Sequence, residues 1–116
     1  QRPIPIWFGG HADAVLRRVA SMGDGWMPNY RRAAEAQPSL DRIGRYLSEA
    51  GRQWQDIGLE PRIWYAKGEH ATWQALVNEW RRAGATHLSL NTMRCGFNTP
   101  GDHMAALEEF ASVIMP

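Results

Sequence analysis

The stretch Ile4-Pro5-Ile6-Trp7-Phe8-Gly9-Gly10-His11-Ala12-Asp13 sets the reading of the whole chain. A short apolar run, Ile4–Phe8, reads as a strand. Two glycines end it, and a helical pattern begins at once. Glycine lets backbone approach a ligand with no Cβ in the way. The N–H groups of the first helical turn have no intrahelical partner, so they favour an anion such as phosphate above the strand end. The plainer alternative is a tight strand-to-helix turn, because the further glycine of a dinucleotide fingerprint is missing.

Outward from this junction, strand and helix patterns alternate. A helix is expected over Ala12–Met22, with Ala14, Val15, Leu16, Val19 and Ala20 on its apolar face and Gly23 ending it. Asp24-Gly25-Trp26-Met27-Pro28 is a short strand candidate, limited by Pro28. Tyr30–Gln37 reads as a loop with a helical turn. Pro38, with Ser39 as N-cap, then opens a helix carrying Leu40, Ile43, Leu47 and Ala50 and closed by Gly51. Trp54 and Ile57 mark a short turn. A strand over Leu59–Ala66 follows, with Pro61 near its start. Trp73, Leu76, Val77 and Trp80 make one face of a helix over Ala71–Ala83, with Thr72 a possible cap. Thr86–Thr92 is the cleanest strand. Met93–Gly101 is a loop, and Asp102 caps a last helix bearing Met104, Leu107, Phe110 and Ala111. Four β-then-α repeats imply a parallel sheet covered by crossover helices. The fold class expected is α/β: four successive parallel βα units, either a small open sheet or half of a (β/α)8 TIM-type barrel.

At 116 residues the chain has room for one domain, 1–116. Its net charge is +1, and its arginine pairs Arg17-Arg18, Arg31-Arg32 and Arg81-Arg82 are scattered, so no nucleic-acid-binding surface is expected. Six tryptophans demand large apolar surfaces. With one cysteine, Cys95, no intrachain disulfide forms, which fits a reducing compartment. No signal peptide or membrane span is visible, and a cytoplasmic protein is the default expectation. With no initiator Met and a strand by residue 4, the chain reads as a piece of something longer.

Three stretches together carry a family resemblance: Pro5–Asp13; Gly23-Asp24-Gly25-Trp26-Met27-Pro28; and Gly84-Ala85-Thr86-His87-Leu88-Ser89-Leu90-Asn91-Thr92-Met93. The chain resembles the C-terminal part of the luciferase-like monooxygenase superfamily, with the coenzyme F-420 (deazaflavin)-dependent oxidoreductases as the nearest branch. Those proteins are (β/α)8 barrels two to three times longer. The resemblance implies that Ile4–Phe8 is about the fifth strand of such a barrel. It further implies that Gly9, Gly10, His11 and Ala12 supply backbone N–H groups to the phosphate of coenzyme F-420 or FMN. Trp26 would lie near the barrel mouth, and Asn91 and Thr92 would end the last strand on the same face, where barrels gather their active sites. The counterpart of the first four strands is not in this sequence. That half carries the acid–base residues where the family has them, so no catalytic residue is assigned.

The residues themselves offer little other chemistry. His11, His70, His87 and His103 lack metal-ligand spacing, and no metal site is expected. His11, at a helix start, is either a site residue or a solvated polar one, whereas His87 reads as structural. Cys95 beside Arg94 has no histidine near it in sequence to make it a nucleophile. Trp7 and Trp26 either stack on a flat ring or fill the core. A half-barrel leaves two strand edges and an apolar inner face uncovered. A homodimer, or pairing with a complementary half-barrel, is therefore expected. Two functions remain open: a flavin- or deazaflavin-dependent oxidoreductase fragment, and a non-catalytic half-barrel that self-associates or binds a protein partner.

Overall fold

A row of three residues, Trp7, Gly25 and Gly58, explains how the strands lie together. In the computed structural model, which describes residues 3–116, they sit side by side on three parallel strands. β1 (Trp7–Gly9) pairs with β2 (Gly25–Met27), and β2 with β3 (Gly58–Leu59). The Trp7 indole lies flat across both glycines. A Cβ built on Gly25 would come within 2.2 Å of Trp7 Cε3, and one on Gly58 within 2.3 Å of Trp7 Cη2. The far end of the indole meets the His87 ring edge-on, with centroids 5.1 Å apart. One tryptophan therefore fills the space above two strands that carry no side chain there.

The next row, Phe8, Trp26 and Leu59, points to the opposite face, as strand alternation requires. Trp26 and Leu59 are fully buried there with Leu16, Val19, Ile43 and Leu47 from the helices. The sequence of elements is β1, α1 (Asp13–Met22), β2, α2 (Ala33–Glu49), β3, β4 (Arg62–Trp64), α3 (His70–Arg82), β5 (Ser89–Asn91) and α4 (Pro100–Ile114). All strand pairs are parallel, in sheets β1-β2-β3 and β4-β5. Among the described residues the chain is thus an α/β fold with four α-helices.

The strand expected over Leu59–Ala66 is divided. β3 pairs with β2, β4 pairs with β5, and Glu60-Pro61 lies between. Pro61 has no N–H to give a ladder. Its carbonyl still accepts from Ser89 N–H, and Leu59 O accepts from Thr86 N–H, so backbone bonds continue across the break.

Helix α2 starts five residues before the expected Pro38. The segment read as a loop is helical from Ala33, and Pro38 lies inside. Pro38 removes one intrahelical bond. Two things offset this: Ala33 and Ala36 are buried, and Glu79 grips the helix start. Its carboxylate takes the Arg32 guanidinium (2.6 Å) and Ala34 N–H (3.2 Å). Those bonds hold Glu79 below the usual carboxylate range, the Arg32 contact most of all. Ser39 is not the N-cap. It is buried, and its hydroxyl pairs with Tyr30 OH at 3.2 Å.

Asp102 does not cap α4 either. Thr99 is the N-cap, with Pro100 first in the helix, and Asp102 reaches back to the N–H groups of Thr99 and Asn98 (3.0 Å each). In α3 the expected face is buried as Trp73, Leu76, Val77 and Trp80. Thr72 donates to Glu69 instead of capping. Arg52 closes α1 from outside by donating to Ala20 O (2.9 Å) and Gly23 O (2.8 Å). Among the described residues no helix is long and apolar enough to cross a membrane.

Candidate functional site

At the end of β1 the chain turns through Gly10, whose φ of +101° an L-residue adopts only with strain. Gly9 has no such φ, and a Cβ there would come no nearer than 3.9 Å to Met27 O. Gly10 is therefore needed by the backbone. Gly9 leaves open space on the pocket side. The turn is tied down from behind: Trp26 Nε1 donates to Gly10 O at 2.9 Å.

Helix α1 then begins without a side-chain cap. Its N-cap is Ala12, in extended conformation. The first bonds of the helix run from Val15 and Leu16 N–H to Ala12 O. Among the described residues the N–H groups of His11, Ala12, Asp13 and Ala14 meet no acceptor, whereas the Gly9↔Met27 pairing turns Gly10 N–H toward Met27 O. Asp13 does not fill that role. Its carboxylate is drawn sideways by the Tyr46 hydroxyl and by Arg17 Nε (2.8 Å), which together hold it below the usual carboxylate range, Tyr46 foremost. An uncapped helix start carries a partial positive charge and is suited to an anion.

In front of the turn lies an open pocket of about 250 Å³. It is lined by Gly9, Gly10, Met27, Pro28, Asn29, Glu60, Arg62 and Ser89. Glu60, Arg62 and Ser89 were not foreseen from sequence. The division at Pro61 and the Arg62↔Ser89 register bring them there, together with the strict alternation that buries Ile63 and leaves Arg62 outside. These residues put a carboxylate, a guanidinium and a hydroxyl on the pocket wall.

The other expected site residues take different positions. His11 accepts from Asn29 N–H at its Nε2 (3.0 Å), so the neutral tautomer carries its proton on Nδ1. Its ring stacks on Tyr30, with centroids 4.0 Å apart, and locks the β1 turn to the loop after β2. Trp26 has 0% exposure, so it offers no face to a flat ring and serves the turn from beneath. Asn91 and Thr92 do not line the Gly9-Gly10 pocket. Asn91 Oδ1 accepts from Met93 N–H (2.8 Å), and Thr92 Oγ1 pairs with His103 Nδ1 (2.7 Å). His87 pairs with Thr86 Oγ1 (2.8 Å), and the Cys95 thiol faces the carbonyls of Met93 and Tyr65. Among the described residues no group of three His, Cys, Asp or Glu is placed to hold a metal.

Glu109 of α4 gathers three donors. They are the Tyr65 hydroxyl, His70 Nε2 (2.7 Å) and Gly68 N–H (3.3 Å). Glu109 is held below its usual range, chiefly by Tyr65, while the Tyr65 phenol is pushed up to about 12.

Comparison with known proteins agrees with these motifs. Uncharacterised proteins of Mycobacterium tuberculosis and Mycobacterium bovis are each 47% identical to this chain over 51 residues. The match covers 44% of this chain and 17% of each relative. Among solved structures, the coenzyme F-420-dependent tetrahydromethanopterin reductase of Methanopyrus kandleri aligns with a TM-score of 0.49 and 19% identity. It covers 62% of this chain and 22% of that one. The matched part thus spans about a fifth of these relatives' length. The family model for luciferase-like monooxygenases matches residues 1–111, and the chain belongs to that family.

Proposed function

We propose that the chain is half of a (β/α)8 barrel and that it holds the phosphate of FMN or coenzyme F-420 for a luciferase-like oxidoreductase. The observation that carries this reading is the uncapped start of α1, whose consecutive N–H groups meet no acceptor among the described residues and follow directly on the Gly9-Gly10 turn that lines an open pocket. The site fits the group it is asked to hold. A phosphate needs several donors and room for close approach, and the Gly9-Gly10 turn gives both. Such a cofactor, when bound, supplies two-electron chemistry.

The chain's own residues have simpler tasks. His11 and Ala12 orient the phosphate through backbone N–H, and Gly9 and Gly10 let it come close. Trp26 and Tyr30 keep the turn rigid, the first through Gly10 O and the second through His11. Arg62 adds positive charge at the pocket wall. Trp7, packed over Gly25 and Gly58, holds the three strands behind the turn together.

Titration with FMN and with coenzyme F-420, followed by fluorescence, tests this. Saturable binding is expected, weakened at least about tenfold by Gly10→Val, which displaces charge-assisted donors. No binding by either chain excludes the phosphate reading.

A second reading has its own support. β1 and β5 are strand edges, and Ile4 (85% exposed), Ile6 (49%) and Trp64 (47%) lie open. A homodimer or a complementary half-barrel would cover them. Sedimentation velocity at micromolar concentration checks this, and a lone 13.1 kDa species would count against it.

A further inference from the structure

A second pocket, of about 370 Å³, opens between the loop after β2 and the start of α3. Its polar lining comes from Arg31, Arg62, Glu69 and Thr72, and its apolar wall includes Trp64 and Trp73. The two arginines are held differently from the others nearby. Arg32 is spent on Glu79. Arg31 is fixed only at its backbone, where its carbonyl accepts from Trp80 Nε1 (3.2 Å). Arg62 is fixed by its register opposite Ser89. Among the described residues neither the Arg31 nor the Arg62 side chain has a hydrogen bond or an ion pair. Glu69, the one carboxylate of the lining, accepts from Thr72 Oγ1 at 3.0 Å. The site therefore carries two cations against one partly occupied anion. Trp64 is 47% exposed, leaving a flat apolar surface in the wall. Trp73, also in the wall, holds the only buried side-chain donor without an acceptor among the described residues, its indole N–H.

We infer that this pocket is a second binding site, for an organic anion. The Arg31 and Arg62 guanidiniums take its carboxylate or phosphate, and Trp64 takes an adjoining flat apolar group. Guanidinium suits both anions because its donors match their paired oxygens. Arg62 lines both pockets, so a ligand here lies next to whatever occupies the Gly9-Gly10 pocket. Substrate-side binding follows from that adjacency. The site itself does not depend on the phosphate reading of the glycine turn.

The test is a nitrogen-15 NMR titration of the 116-residue chain with benzoate, phenyl phosphate and uncharged benzyl alcohol. The two anions should shift the amide signals of residues 62–66 and 69–73, with dissociation constants on the order of 1 mM or tighter. Arg31→Gln and Arg62→Gln should each weaken binding at least about tenfold, since each removes a charge-assisted contact. Glu69→Gln should tighten it. Tighter binding of phenyl phosphate assigns a phosphorylated ligand, and tighter binding of benzoate assigns a carboxylic acid. Gly10→Val should leave these titrations unchanged, which separates this site from the cofactor site. The inference is overturned if no anion shifts those signals, if benzyl alcohol binds equally well, or if affinity survives both arginine changes.

Discussion

Replacing Gly25 by alanine tests the packing on which the inner face rests. The new methyl carbon would lie 2.2 Å from Trp7 Cε3 and 2.4 Å from both Cδ2 and Cζ3. Carbon atoms in contact rest roughly 3.5–4.0 Å apart, so the ring must retreat by more than about 1 Å. It has little room to do so. Its other end covers Gly58, and the His87 ring stands against it. Gly25 has no positive φ, so the backbone itself accepts alanine. The whole cost is then overpacking, at the upper end of the usual range, about 3 kcal/mol. For a domain of this size that lowers the melting midpoint by roughly 10 °C. In a Trp7→Ala chain the three closest contacts of that methyl, all to the indole, are gone. Gly25→Ala should there be neutral or stabilising by about 0.5 kcal/mol, because alanine restricts the unfolded chain. The coupling between the two sites is then about 3 kcal/mol, measured by urea unfolding of the four chains followed by circular dichroism. Equal losses from Gly25→Ala with Trp7 present and with Trp7 removed would refute the account.

Three more substitutions test individual side-chain contacts. Glu109 titrates below its ordinary value of 4.5 when folded, so its stabilising contribution is present above that value and lost as pH falls through the lowered one. Tyr65 behaves in the opposite sense. Unfolded, its phenol ionises near 10, but folded only near 12, so stability declines as pH rises between these values. Tyr65→Phe should remove the alkaline decline, and Glu109→Gln should flatten the acid one, in thermal melts across pH. Arg52→Met removes the donors at the end of α1, leaving Ala20 O and Gly23 O without them. A loss of about 1–2 kcal/mol in urea unfolding is expected, and an unchanged midpoint would show that water replaces the guanidinium there.

Much of this architecture was legible in the residues because it is local. Trp73, Leu76, Val77 and Trp80 fall on one helical face by spacing alone, and they are buried. Gly9-Gly10 marks a turn because glycine answers a backbone need within a few residues. Helix boundaries were less legible where a distant partner decides them. Glu79 lies 47 residues from Arg32, yet it anchors the start of α2 and lets the helix run through Pro38, against that residue's own preference. The capping box at Thr99 was open to reading, with Asp102 three residues on. An acid in that position serves as the third helical residue of the box, with the threonine before the proline as its cap.

The order of strand and helix patterns, and the glycine turn that marks the family, came from sequence by itself. Short-range sterics and hydrophobic spacing write them residue by residue. Which side chains share a pocket was decided only in three dimensions. Register across parallel strands places Arg62 beside Ser89 and lays Trp7 over Gly25 and Gly58. No spacing along one strand encodes that lateral alignment, because the crossover helices between strands set it. The same alignment lines the Gly9-Gly10 pocket with Glu60, Arg62 and Ser89, and leaves Asn91, Thr92 and the buried Trp26 off its wall.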